Sequence, residues 1–262
     1  MKKINYLPYF VFAALLFSAC SNHVYGPALF HQDIAYQPKP ASFDSAKTAN
    51  YASVGFGVNA DPTFFDDLLY SAQFNVSRAH NLGNFNLAYG AFSVLGDYAN
   101  SSVRNGDPNY FSDKFFGVLG GRASANFFVS TGSADFRILG IEAAYSHEFG
   151  DYANFRKRLT AQANQPDYYI NPNTDLFTAG LSTEVTWRGL FNRHVKHGIR
   201  LFAGHTFGDN NYYNTVTHIP YNTDSQPFNN IFVKASYFAE FNRYIATIEA
   251  GNGILLRFGF RF

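Results

Sequence analysis

The sequence predicts an all-β fold, an antiparallel transmembrane β-barrel of ten strands, with eight the alternative. Three observations point there. Long stretches alternate apolar and polar residues with a period of two, which gives a strand one face of each kind. Aromatic residues make up 19% of the 262-residue chain and charged residues only 15%, against about 25% charged in ordinary soluble domains. After Cys20 no run of roughly 20 apolar residues is present to cross a bilayer as a helix. Strands with a greasy face, rich in aromatics and poor in charge, suit a barrel that turns that face to lipid.

The strands follow in order from Tyr51. In 51–60, Ala52, Val54, Phe56 and Val58 oppose Ser53, Gly55, Gly57 and Asn59. In 69–79, Tyr70, Ala72, Phe74 and Val76 oppose Ser71, Gln73, Asn75 and Ser77. The same pattern recurs in 84–96, 115–130, 135–148, 176–188, 198–207 and 230–241. A weaker strand over 244–250 precedes the last one, 253–262, where Ile254, Leu256, Phe258, Phe260 and Phe262 share a face. Loss of 244–250 and a neighbour would leave eight.

Hairpin register tests the alternation, because cross-strand partners must share a face. A turn at Asn81-Leu82 pairs Phe74 with Tyr89 and Val76 with Leu87. A turn at Thr131-Gly132-Ser133 pairs Arg122 with Glu142, both inward and opposite in charge. A turn at Asn242-Arg243 pairs Tyr237 with Ile248 and Glu240 with Ile245. The connections near 81, 132 and 242 are tight, whereas 97–113, 149–174 and 208–228 are long. Short and long alternate, as in barrels with periplasmic turns and extracellular loops. An even strand number then puts both ends of the barrel on the short-turn side.

About eight to ten strands enclose an interior that side chains can fill, while water channels need about sixteen. The inward face carries Phe92, Phe116, Phe128, Phe202, Phe232 and Phe238. It also carries a charge network of Arg122, Glu142, Glu184, Arg200, Lys234, Glu240, Arg257 and Arg261. The expected lumen is closed, held by hydrogen-bonded ion pairs.

The two ends carry the resemblances. Lys2 and Lys3 precede an apolar stretch from Tyr9 to Phe17, then Ser18, Ala19 and Cys20, the only cysteine. Charge, a short greasy core and small residues are the order of a secretory signal. The junction Leu16-Phe17-Ser18-Ala19-Cys20 resembles a bacterial lipobox, although Phe17 stands where leucine is usual. That resemblance implies a signal peptide over 1–19, acylation of Cys20, and a lipid-anchored periplasmic tether over 20–50 before the barrel of 51–262. Ser21 in this context implies no retention in the inner membrane. The last strand, ending in Phe262, resembles the signal read by the barrel assembly machinery, with Phe258, Phe260 and Phe262 as its aromatic positions. Together the ends resemble those of small Gram-negative outer-membrane barrel proteins, with the lipid in the periplasmic leaflet; no specific family is matched.

Composition excludes other classes. The chain has 20 basic and 19 acidic residues, and the mature part 18 and 19, a balance unsuited to nucleic acid. With a single cysteine there is no internal disulfide. Cofactor and metal sites are not expected. His194 and His197 have an HxxH spacing but fall in a turn, where it means little. Asp66, Asp67, His147, Asp151 and Asp209 stand near the outer rim, as acidic pairs and a histidine do in barrel proteases, but with no matching motif. Ser146, His147 and Glu148 are neighbours on one strand, so they point to opposite faces and cannot form a triad. Arg156-Lys157-Arg158 could meet lipid phosphate or simply be solvated. The expected role is non-catalytic: an accessory or structural subunit of an envelope assembly for secretion, barrel assembly or uptake. Its expected partners are outer-membrane lipid, the assembly machinery, and envelope proteins met through the long loops or the 20–50 tether. Passage or binding of a small solute or lipid is the alternative, with a surface hydrolase further behind.

Overall fold

A computed structural model describes residues 23–60, 67–100, 110–161, 168–189, 195–207, 211–214, 220–222 and 231–262. Ten strands form the barrel: β1 Thr48–Ala60, β2 Leu68–Asn81, β3 Phe85–Ala99, β4 Asp113–Thr131 and β5 Ala134–Phe149. They continue with β6 Asp175–Arg188, β7 Val195–Phe207, β8 Ile231–Phe241, β9 Tyr244–Ala250 and β10 Gly253–Arg261. Each pairs antiparallel with the next, and β10 pairs with β1 from Gly253↔Asn59 to Arg261↔Tyr51, which closes the barrel. The weak 244–250 segment is a full member, so the eight-strand alternative falls. Phe262 extends the seam through backbone hydrogen bonds with Asn50 of 3.0 and 3.2 Å.

The alternation holds along the wall. Phe56, Phe74, Ile141, Leu181, Val233 and Phe258 face outward and exposed, while the intervening side chains face a buried interior. Outward aromatic rings gather at both rims. Tyr70, Phe115, Tyr145, Phe177 and Phe207 lie toward the long loops; Tyr89, Trp187, Tyr237 and Tyr244 lie toward the short turns. An apolar belt between aromatic girdles is the outer surface of a barrel built for a bilayer.

Register differs from expectation in two hairpins. Phe74 pairs with Ser93 and Val76 with Ala91, because the β2–β3 turn spans 82–84, with Gly83 at φ +77°, and pairing starts at Asn81↔Asn86. The partner moves by four positions, an even number, so every side chain keeps its face. Arg122 pairs with Ala144, and Glu142 with Ser124. Two causes add. The β4–β5 turn has two residues, Gly132 and Ser133, with Thr131 opposite Ala134. One extra residue also sits in β5, where Ile138 and Leu139 are both exposed and the register slips against β4 and β6 alike. Such a bulge reverses the alternation beyond it, and so turns Arg137 inward. The β8–β9 hairpin has the expected register, Tyr237↔Ile248 and Glu240↔Ile245.

The larger difference is at the N-terminal end. The segment expected to hang below the barrel as a tether instead fills it. Tyr25, Leu29, Asp33, Ile34, Tyr36, Lys39 and Ala41 are all buried. The segment rises from β1 on the short-turn side and ends among the long loops. There His23–Tyr25 pairs in parallel with Tyr168–Ile170, from the β5–β6 connection. Tyr168–Ile170 in turn pairs with Asn211–Asn214, which pairs with Pro220–Asn222 in the β7–β8 connection. These four short strands form a small sheet of loop segments. The segment's physical reason for entering the barrel is its own make-up: Leu29, Ile34 and Tyr36 bury apolar surface that a solvated tether would expose.

Candidate functional site

The plugged lumen is the site where sequence and structure converge. At its loop end, the β5–β6 connection folds as helix α1, Asp151–Ala161, whose buried stripe is Tyr152, Ala153, Phe155, Arg156 and Leu159. Gly150, at φ +109°, provides the sharp entry. The Tyr152 ring stacks on Tyr98 at 4.1 Å, and Tyr25 of the plug meets Phe155 edge-on at 5.2 Å. The Tyr152 hydroxyl donates to the Gly26 carbonyl (2.8 Å), and the Ala28 N–H donates to Glu148 (2.8 Å). Arg156 is fully buried; it pairs with Glu148 at 2.7 Å and donates to the carbonyls of Asn171 and Asn173. The basic run is therefore split: Arg156 is a structural clasp, and only Lys157 and Arg158 face solvent.

Below the cap, the plug makes one turn over Pro27–Asp33, with Gln32 N–H on the Leu29 carbonyl at 2.8 Å. His31 has φ +57° and lies stacked between Phe30 and Phe232, with ring centroids 3.7 and 4.1 Å away. Lys234 donates to Gln32 Oε1 and the Ile34 carbonyl at 3.0 and 2.9 Å. Thr178 donates to Asp33 Oδ1 (2.6 Å), and Arg122 Nε to the Asp33 carbonyl (2.6 Å). Deeper still, Glu249 accepts from the Tyr36 N–H (2.9 Å) and Arg257 (2.6 Å), and Arg257 also donates to the Tyr36 carbonyl. Tyr36 stacks on Phe238, and its hydroxyl donates to Glu184. Glu184 pairs with Arg137 and with Lys39. At the short-turn end Asp135 accepts from Ser42, while Asp44 pairs with Lys196 at 3.0 Å and Arg261 at 3.5 Å. Burial alone would raise the Asp44 carboxyl, but Lys196, the Ala41 N–H and Arg261 hold it below its ordinary value of 3.8.

The structure places the eight charges singled out in the sequence on the inner face, seven of them buried and Arg261 half-buried. Their pairing is redistributed. Glu142 takes a bidentate pair from Arg200 (2.8 and 2.6 Å), and Glu240 pairs with Lys196 and Arg261. Arg122 instead stacks over Phe92 and donates to Asn75. Phe258 and Phe262 are exposed on the outer face, and Phe260 packs edge-on against Tyr244. Cys20 lies outside the described residues.

Sequence reasoning missed Asp33, Lys39, Arg137, Lys196 and Glu249, and named Glu148 only as a strand neighbour of His147, not as a lumen charge. One signal was available: the eight charges comprise five cations and three carboxylates, an excess that asks for more carboxylate. Glu249 shares parity with Ile245 and Thr247 on β9 and supplies some of it.

The rim residues that the structure describes have separate partners. Asp67 is buried and accepts from Tyr98 (2.6 Å), and Asp151 opens α1. Asp66, Asp209 and His194 lie outside the described residues. His147 meets Asp175 at 2.9 Å on the outer wall, while Ser146 and Glu148 point inward. His197 stacks between Trp187 and Tyr237 in the lower girdle. Among the described residues no three His, Cys, Asp or Glu side chains cluster as metal ligands.

The class defined by fold and site is a closed ten-stranded antiparallel barrel plugged by its own N-terminal segment. No family model matches the chain, and no curated protein matches it in sequence. Solved structures are similar at the level of architecture. The transport unit of the autotransporter AIDA-I from Escherichia coli aligns over 86% of this chain and 93% of that one, at TM-score 0.42 and 8% identity. An outer-membrane channel from Pseudomonas putida F1 aligns over 86% and 100%, at 0.39 and 11%. The translocator domain of the autotransporter NalP from Neisseria meningitidis aligns over 84% and 90%, at 0.32 and 11%.

Proposed function

We propose that the chain is a non-conducting, non-catalytic outer-membrane barrel lipoprotein that serves as a structural or accessory subunit of an envelope assembly. The observation that carries this reading is the occupied lumen. Wall residues from Arg122 on β4 to Arg257 on β10 hold the segment 28–44 by hydrogen bonds and ion pairs. The apolar belt and its two girdles support the membrane setting. The described parts of the long connections, α1 and the small loop-side sheet, offer the surface a partner would meet.

The plug also revises where a lipid would sit. Cys20 precedes His23 by three residues, a reach of about 10 Å, and His23–Tyr25 belongs to the loop-side sheet. An acyl chain on Cys20 would thus enter the outer leaflet beside the cap rather than the periplasmic leaflet. Planar-bilayer recording and surface labelling test the two halves of the proposal. The intact chain should give no steady conductance, and a cysteine placed at His23 in a Cys20→Ala background should react with a membrane-impermeant maleimide on intact cells. A cysteine at Gly83 should react only after permeabilisation. Steady channels would refute the closed barrel, and the opposite labelling order would refute the threading.

A further inference from the structure

Between the plug and the wall of β9, β10 and β1 to β4 lies a cavity of about 20 Å³, lined by Tyr36, Gln37, Tyr51, Asn75, Arg122 and Arg257 among others. Four of its lining residues have a buried side-chain atom without a hydrogen-bond partner: Tyr51 Oη, Asn75 Nδ2, Arg122 Nη2 and Arg257 Nε. All four are donors, and only the tyrosine hydroxyl can also accept. A buried donor left unmade costs about 1–3 kcal/mol, more when charged, so the site calls for an acceptor.

The charge balance calls for a negative one. Among the described residues Arg122 has no ion pair: its Nε goes to the Asp33 carbonyl and its Nη1 to Asn75 Oδ1. Glu249 is already shared, at 2.6 Å from Arg257 and 4.0 Å from Arg200. Asp33 takes its hydrogen bond from Thr178, and Lys234 is directed to Gln32 and Ile34. One carboxylate therefore stands near two cations that it does not pair with.

Size decides the rest. Holding one water takes roughly 10–15 Å³, so the cavity has room for one monatomic ion. Gly55 is part of the construction: the Arg257 stem lies across it, and a Cβ there would come within 2.4 Å of Arg257 Cγ. We propose that this cavity binds one halide-sized anion, of the chloride class, which clasps the plug at Tyr36 and Gln37 to the wall at Arg122 and Arg257. A water oxygen would accept from at most two of these donors, bring two protons of its own, and give Arg122 no counter-charge.

Bromide is the probe. Crystals of the full chain grown in sodium bromide should show one anomalous peak in contact with Arg122 Nη2 and Tyr51 Oη. In detergent, the temperature at which heat-modifiable migration is lost should rise saturably with sodium bromide, but not with sodium gluconate at equal ionic strength. Tyr51→Phe keeps the volume and removes one donor to a charge, so its bromide midpoint should move about tenfold or more. Arg122→Gln should abolish the bromide dependence. Equal behaviour in bromide and gluconate, no anomalous peak at the cavity, or a Tyr51→Phe titration equal to wild type would each overturn the proposal.

Discussion

Replacing Glu184 by glutamine tests whether charge, and not merely packing, fixes the plug. Among the described residues Glu184 is the only carboxylate within ion-pair distance of both Arg137 and Lys39, and these two side chains are 0% exposed. Glutamine keeps the shape and an oxygen for the Tyr36 hydroxyl, so most packing survives. What is lost is the charge facing two buried cations. Breaking a buried pair by removing one partner costs about 3–5 kcal/mol, and that is the expected loss for Glu184→Gln. Adding Lys39→Met removes one stranded cation without opening a large cavity. The double variant should therefore be more stable than Glu184→Gln alone, with a coupling of about 1–3 kcal/mol. The assay is urea-dependent folding into lipid vesicles, read by heat-modifiable gel migration. The reasoning fails if Glu184→Gln costs less than about 1 kcal/mol, or if adding Lys39→Met makes matters worse by its full single-variant cost.

Three further outcomes follow from the same geometry. Leu181 is exposed at the middle of β6; Leu181→Arg should cost about 2–4 kcal/mol in vesicle folding if it faces the bilayer core, whereas a solvent-facing site would change by no more than about 0.5 kcal/mol. Arg156→Met should leave Glu148 without its cation; the loss of about 3–5 kcal/mol should appear as new protease cleavage in the β5–β6 connection of the folded protein. Asp44 titrates below its ordinary value of 3.8, so its folded form prefers the charged state. It stabilises the fold above the ordinary carboxylate range and loses that contribution as pH falls through its depressed folded value. Urea midpoints at pH 6 and pH 3 should fall less in Asp44→Asn than in wild type; an equal fall would show that Asp44 contributes nothing.

The barrel was legible because alternation is a local property. Each of the ten strands advertises itself through side chains two positions apart, and even β9, only seven residues long, reads correctly from Ile248 opposite Tyr237. Faces survived errors in register because those errors were even. What was not legible needed either a local irregularity or a contact remote in sequence. The β5 bulge leaves no distinctive residue at Ile138, yet it turns Arg137 inward. The plug has no periodicity, and its prolines look like those of a linker. Its partners stand far along the chain: Ala28 and Glu148, Tyr36 and Glu249, Lys39 and Glu184. The lumen charges could be enumerated from sequence but not matched: Arg200 meets Glu142 and Arg257 meets Glu249 across the wall, whereas Arg122 and Lys234 turn to plug carbonyls, in a segment assigned elsewhere.

That omission also explains the error in sidedness. An even number of strands returns the chain to the side where it began, which correctly places Thr48 and Phe262 together. The plug adds an eleventh passage through the barrel, without pairing to the wall as a strand, and carries the N-terminal end to the opposite rim. There the His23–Tyr25 strand is the outer member of the four-strand sheet. One side of it is held by Tyr168–Ile170, so the passage that starts at Thr48, beside Phe262, ends tied to the β5–β6 connection at the other rim.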